Sequence, residues 1–288
     1  MGFLAKTRTI LVMIKFEHSV FALPFAYLGM LLAAGGIPDG ATIVWVTLAM
    51  IGARSFAMAL NRLLDVKTDR RNPRTASRAL PRGLISISEV IVFLAASLAV
   101  FFLAVYMLPS LCHWLWPVAL LPMALYSLTK HVTWLCHFVL GLCLALAPAG
   151  AWVATANTLP PTGVWLLALG VMFWTAGFDI IYSCQDYDFD CSEGLHSVPV
   201  RFGIVFALRA VKILHVLSVV LFCAAGAVLV LGPVYCLGMG ATALFLWYEN
   251  SIISADNLSR IESSFFTMNG LVSITIFLFA FVSMYYTL

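Results

Sequence analysis

Two short acidic segments are the parts of this chain best suited to chemistry. The first reads Asn61-Arg62-Leu63-Leu64-Asp65-Val66-Lys67-Thr68-Asp69 and the second Asp186-Tyr187-Asp188-Phe189-Asp190. On a continuous helix Asn61, Asp65 and Asp69 recur every fourth residue and project from one face, as do Asp186 and Asp190, whereas Asp188 points elsewhere. Like charges at that spacing repel by about a few tenths of a kcal/mol on an exposed helix, and by more beside a membrane. Something positive is therefore expected between them. Oxygen ligands paired on separate helices suit Mg²⁺, which keeps several waters and binds through one or two carboxylates plus substrate phosphate. No cysteine or histidine falls at ligand spacing with these groups, which disfavours thiolate and imidazole metals. The competing reading is a pair of solvated helix ends whose carboxylates pair with nearby arginines; two clusters at equivalent places in one chain favour the metal site.

The elements that must position these segments are apolar. Of 288 residues, 62% are hydrophobic and 10% charged, against about 25% charged in an ordinary soluble domain. A transmembrane helix needs roughly 20 mostly apolar residues, and such stretches recur from end to end. Hydropathy and turn residues predict an all-α integral membrane protein with about nine spans, near residues 16–34, 41–60, 88–107, 113–129, 132–153, 162–184, 203–227, 231–249 and 265–286. Residues 1–288 read as one membrane domain, with no separate soluble part. The acidic segments follow spans two and six, with four spans in each interval, which predicts two four-helix halves plus a ninth helix. Basic residues, an apolar run and the small residues Ala33, Ala34, Gly35 and Gly36 loosely imitate a signal peptide. A retained first span is expected instead, because the polytopic pattern simply continues.

The distribution of charge sets the expected orientation. Apart from Arg54, every Lys and Arg falls at the N-terminus or in the connections around 61–87, 130, 185–212 and 249–264. The alternate connections near 35–40, 108–113, 154–162 and 229–233 have none. The positive-inside rule then puts the N-terminus and both acidic segments on the cytoplasmic face of the cell membrane. The expected partner is the bilayer, with no nucleic acid and no obligate protein partner. The seven cysteines are scattered at 112, 136, 143, 184, 191, 223 and 236 with no C-x-x-C, and read as core packing.

The stretch from Asn61 to Asp69, continuing through Arg74-Thr75-Ala76-Ser77-Arg78-Ala79-Leu80-Pro81-Arg82-Gly83, resembles the signature of the UbiA prenyltransferases, most closely their 4-hydroxybenzoate polyprenyltransferase branch. Asp186-x-x-x-Asp190 is similar to that family's second acidic motif, and Tyr126-Ser-Leu-Thr-Lys130 to its Tyr/Lys pair. Lys15-Phe-Glu-His18-Ser-Val-Phe-Ala-Leu-Pro24 and Phe265-Phe-Thr-Met-Asn269-Gly270 look like a related subgroup that includes menaquinone-pathway enzymes. Ala79 departs from the usual proline. His131 stands after Lys130 where many members have Arg, which removes support for an aromatic-acid-binding role there.

The resemblance implies a central cavity open to the cytoplasmic face, with Asn61, Asp65, Asp69, Asp186 and Asp190 holding Mg²⁺ against a polyprenyl diphosphate. Ionisation of the allylic C–O bond, attack by an electron-rich aromatic acid and proton loss would follow, as in quinone biosynthesis. Lys130, by charge, and Tyr126, by hydrogen bonding, are expected to stabilise the departing diphosphate, with Arg62, Arg74 and Arg78 as further phosphate partners or as topology anchors. Arg54 lies inside a span, where charge usually faces an interior, seven residues before Asn61. It is expected to bind an acceptor carboxylate or to pair with a carboxylate such as Asp179. Asp179 reads as structural partner or pocket residue; His18 and Glu17 read as a polar first-helix face or as part of the acceptor site. Two other functions stay in view: a secondary transporter with acidic coupling residues near the midplane, and a UbiA-like enzyme acting on haem or chlorophyllide.

Overall fold

A computed structural model describes residues 3–15 and 21–286. Among them the chain is helical from end to end, and the one β-type pairing is an isolated bridge between Ser254 and Asn257. The helices in chain order are α1 (Phe3–Met13), α2 (Leu23–Ala34), α3 (Gly40–Arg71), α4 (Ile87–Met107), α5 (Ser110–Thr129) and α6 (Cys136–Ala156). Then come α7 (Thr162–Ser183), α8 (Tyr187–Glu193), α9 (Val198–Phe202), α10 (Ile204–Val228), α11 (Pro233–Ile252) and α12 (Ile261–Tyr286).

Seven of these elements are long and apolar enough to cross a bilayer: α3, α4, α5, α6, α7 with its extension to Glu193, α10 and α12. The first and eighth expected spans are the two that differ. In place of the first stands α2, whose 12 residues rise only about 18 Å against a hydrocarbon core of about 30 Å; its expected start lies outside the described residues. In place of the eighth stands α11, which is 20 residues long but carries Thr242, Glu249 and Asn250.

Local chemistry explains the boundaries that matter for the site. Asp39 opens α3 by accepting from Thr42 N at 3.0 Å, and the Thr42 hydrogen bonds hold the Asp39 carboxyl below its ordinary pKa. The helix then runs well past the expected end of its span and stops at Arg71. The next residue, Asn72, precedes Pro73 and is extended at φ −79° and ψ 116°, because a following proline disfavours helical backbone. The first acidic segment therefore rides on the same rigid rod as the apolar span. Ser86 and Glu89 form a capping box at the start of α4, and Lys6 Nζ reaches Glu89 Oε1 at 2.5 Å, tying α1 to that helix end.

The helices meet through small residues, as membrane bundles do. A Cβ at Gly52 of α3 would collide with the backbone of Ser97 and Phe101 on α4, and one at Gly29 of α2 with the Pro148 backbone on α6. Packing is most extensive for α10 on α7, α7 on α6, α3 on α4 and α2 on α6. One core, built around Phe25, Trp174, Phe222 and Tyr235, joins α2, α7, α10, α11 and α12. Another joins α2, α3 and α6 through Met30, Val46 and Ala147.

Candidate active site

Because α3 continues to Arg71, Asn61, Asp65 and Asp69 do share one helix face. Asp65 and Asp69 are only 3% and 6% exposed, so they are buried rather than solvated, while the arginine pairing of the competing reading is met at Asp69 and Asp186. Asn61 Nδ2 donates to Asp65 Oδ2 at 3.0 Å and to Ser127 Oγ of α5 at 3.1 Å. Lys130 Nζ, at the end of α5, donates to the same Asp65 oxygen at 2.7 Å. Asp65 Oδ1 is buried with no hydrogen-bond partner, a costly state for a carboxylate oxygen. Asp69 is held by Arg78 Nη1 at 2.8 and 2.9 Å from its two oxygens. Arg62 is buried beside Asp69 at 4.0 Å; it spends its donors on Asn61 Oδ1 (3.1 Å) and on Met13 O of α1 (3.3 Å).

The second segment departs from a plain helical repeat. After α7 the backbone tightens into a 3₁₀ turn over Cys184–Asp186 before α8 resumes the helix, a break of the kind often found at functional positions. Asp186 is gripped from the connection after α3. Asn72 Nδ2 donates to its Oδ1 at 2.9 Å, Arg74 Nε to the same oxygen at 2.9 Å, and Arg74 Nη2 to its Oδ2. Arg74 Nη1 also donates to Tyr182 OH at 2.8 Å, with the guanidinium 5.0 Å over that ring. Burial disfavours the charged guanidinium, but the bonds and charges of Asp186 and Tyr182 outweigh it and raise the Arg74 pKa. The Asp190 carboxylate is partly exposed and has no hydrogen-bond partner among the described residues, and Asp188 is exposed.

The connection after α3 is thus the element that brings the two segments together. Its shape comes from side chain to backbone bonds: Asn72 Oδ1 accepts from Arg74 N at 2.9 Å and Thr75 Oγ1 donates to Asp69 O at 3.1 Å. The backbone of Lys130 closes the arrangement, its carbonyl accepting from His196 N at 2.7 Å in the segment after α8. Tyr126 lies one turn before Lys130, partly buried, its hydroxyl without a partner among the described residues. The positive groups expected between the carboxylates are therefore Lys130, Arg74 and Arg78. Among the described residues no group of three or more His, Cys, Asp or Glu is close enough to hold a metal by itself.

The remaining expected residues lie differently. Arg54 Nη2 donates to Lys15 O at 3.4 Å, while the Asp179 carboxylate is taken by His137 Nδ1 at 2.7 Å. His137 Nε2 accepts from Val198 N at 3.2 Å, so the ring proton sits on Nδ1 and points at Asp179. His131 is exposed, and Glu17 and His18 lie outside the described residues. Four residues of the site were not anticipated: Asn72, Ser127, Tyr182 and His137. Only Asn72 had a signal, as the Asn-Pro dipeptide that ends α3.

The UbiA prenyltransferase family model matches residues 22–271. The 4-hydroxybenzoate octaprenyltransferase of Aliivibrio fischeri (strain ATCC 700601 / ES114) is 32% identical over 254 residues, 86% of this chain and 87% of that protein. Among solved structures, the apo UbiA homolog from Aeropyrum pernix K1 has a TM-score of 0.83 at 34% identity, covering 93% of this chain and 98% of that one. The Archaeoglobus fulgidus UbiA homolog bound to GPP and Mg²⁺ has a TM-score of 0.74 at 21% identity, covering 96% and 99%. Together with the two acidic segments on a polytopic helical frame, these matches set the transporter reading aside: the chain belongs to the UbiA prenyltransferase family.

Proposed function

We propose that this protein transfers a polyprenyl chain from polyprenyl diphosphate to an aromatic acid of the hydroxybenzoate or hydroxynaphthoate type, with Mg²⁺. It would act as a multi-pass protein of the cell membrane, the acidic segments on the cytoplasmic face. The observation that carries the reading is the half-satisfied Asp65 carboxylate, bound by Lys130 at the end of the bundle where Arg78 holds Asp69 and Arg74 holds Asp186. Further along the bundle, an apolar cavity of about 230 Å³ is lined by Met50 and Ala53 of α3, Phe101 of α4, Leu108 of the linker that follows, Met123 of α5 and Leu146 of α6. Ala53 is about two helical turns from Asn61, so an apolar tail would run along α3 from the acidic segments towards this cavity. The Aliivibrio fischeri relative is named for the same transfer, and the Archaeoglobus fulgidus neighbour was solved with GPP and Mg²⁺.

The donor set fits Mg²⁺. Oxygen ligands from Asn61, Asp65 and Asp69 on one helix and Asp186 and Asp190 on another would hold the ion or ions. No protein-only cluster of three is needed, because Mg²⁺ commonly uses one or two carboxylates and takes its other ligands from water and substrate phosphate. Bound there, the metal would supply polarisation of the diphosphate leaving oxygens. The protein's own residues do the rest. Arg74 and Asn72 orient Asp186, Arg78 positions Asp69, and Lys130 donates to the departing diphosphate in place of its bond to Asp65. Tyr126 offers a free hydroxyl from the same helix face. The apolar walls keep water from the allylic cation until the aromatic ring attacks; the ring proton then leaves and aromaticity returns.

The test is purified protein with Mg²⁺, labelled polyprenyl diphosphate and a panel of aromatic acids. Prenylated product with a hydroxybenzoate or hydroxynaphthoate is expected. Neither product nor Mg²⁺-dependent diphosphate release with any acceptor would overturn the reading.

A further inference from the structure

Away from the aspartates, α10 and α11 part company at the end of the bundle that carries the acidic segments. Between them lies an open groove of about 470 Å³, within the roughly 300–1,000 Å³ range of ligand sites. Its apolar length is formed by Val216 and Val220 of α10 and by Ala243 and Trp247 of α11. A smaller recess of about 210 Å³ adjoins it and shares Lys212 and Asn250 with it. Arg209 and Ser254 complete the polar side of that recess.

Three features separate this place from an ordinary lipid-facing seam. First, two cations, Arg209 and Lys212, stand over it, both exposed and without an ion-pair partner among the described residues, and no carboxylate lines either cavity. Second, Asn250 commits its Nδ2 to His215 Nδ1 at 2.8 Å and to Leu246 O at 2.7 Å. That leaves its Oδ1 as an acceptor in the groove. Third, His215 lines the groove and holds Asn250 in place through its Nδ1, while its Nε2 edge packs against Gly177 of α7. Snorkelling cations alone would serve as topology anchors; they would not need a polar recess that opens into an apolar channel.

We propose that this groove binds one anionic glycerophospholipid. The phosphate lies against Arg209 and Lys212, a headgroup hydroxyl donates to Asn250 Oδ1, and an acyl chain runs along Val216, Val220, Ala243 and Trp247. Basic pockets between transmembrane helices recognise anionic headgroups in this way. The site lies on the outer side of α10, whose opposite face packs on α7 through Val211 and Ser218. It is therefore distinct from the substrate cavity and independent of the reading of that cavity.

The experiment uses the full chain, reconstituted into nanodiscs of equimolar phosphatidylglycerol and phosphatidylcholine, re-extracted and weighed by native mass spectrometry. One retained phosphatidylglycerol per chain is expected. The double variant Arg209→Gln, Lys212→Gln should lower retention roughly 10- to 30-fold with prenyl transfer in detergent unchanged. Ala243→Trp, which fills the apolar channel and keeps both cations, should also lower retention. Equal retention of the two lipids, or retention unaffected by the double variant, would overturn the assignment. So would displacement of the phospholipid by polyprenyl diphosphate added to the same nanodiscs, or dimers cross-linked through cysteines placed at Val220 and Trp247.

Discussion

Lys130 Nζ donates to one oxygen of Asp65 at 2.7 Å, while the other oxygen of the same carboxylate is buried with no partner. The lysine neutralises the charge yet leaves a ligand position open. Lys130→Met should therefore lower thermal stability in detergent by about 1–3 kcal/mol, because a buried carboxylate loses its counter-charge although the lysine itself is part-exposed. Added Mg²⁺ should restore more of the melting temperature in this variant than in the parent. Identical melting in both, with and without Mg²⁺, would refute the coupling.

Arg74 makes a forked contact with Asp186 and a further bond to Tyr182. Lysine keeps the charge but not the fork. Arg74→Lys should therefore cost roughly 10- to 100-fold in turnover, in the range seen when residues that orient metal ligands are changed. Asn72→Ala, which removes one bond to Asp186, should cost less. Initial rates of prenyl transfer decide the matter, and a fully active Arg74→Lys enzyme would show that the fork is dispensable.

The two carboxylates of the second segment should separate stability from catalysis. Asp190 has no partner to lose, so Asp190→Ala should hold its melting point within about 0.5 kcal/mol of the parent while transfer is abolished. Asp186→Ala strands the Arg74 guanidinium and should lower both stability and activity. Chelation of divalent metal should stop transfer in the parent, with full recovery on adding Mg²⁺ back.

A separate polar chain threads the core between α7, α11 and α12. Trp174 Nε1 donates to Asn269 Oδ1 at 2.9 Å, and Asn269 Nδ2 to Glu249 Oε1 at 3.2 Å. Asn269→Ala leaves an indole donor and a carboxylate oxygen unsatisfied and should cost about 2–4 kcal/mol. Glu249→Gln keeps the acceptor and should stay within about 1 kcal/mol. Thermal melts of the two variants in one detergent provide the comparison, and equal losses would contradict the bonding order.

Gly52 marks where α3 and α4 touch backbone to backbone, with Ser97 and Phe101 in the way of any side chain. Gly52→Leu should cost more than about 3 kcal/mol, above the ordinary range for overpacking, because backbone atoms cannot rotate aside. The yield of folded protein after detergent extraction would reveal it; normal yield and melting would mean that the helices can separate there.

The helical class, the alternation of charged and uncharged connections, and the face shared by Asn61, Asp65 and Asp69 are legible in the order of residues alone. Each follows from period and composition along one continuous element, which needs no knowledge of neighbours. The carboxylate partners could not be read that way. Asp186 meets Arg74 and Asn72, Asp65 meets Lys130, and Asp179 meets His137 and not Arg54. These pairings join residues far apart in the chain, and they depend on the turn after Pro73 and on how α3, α5 and α7 come together. The 3₁₀ break over Cys184–Asp186 is equally hidden, since its residues keep helical spacing in the sequence. Tertiary packing decided which charges each aspartate faces, because in a bundle of apolar rods the few polar groups must find one another across helices to leave water at all.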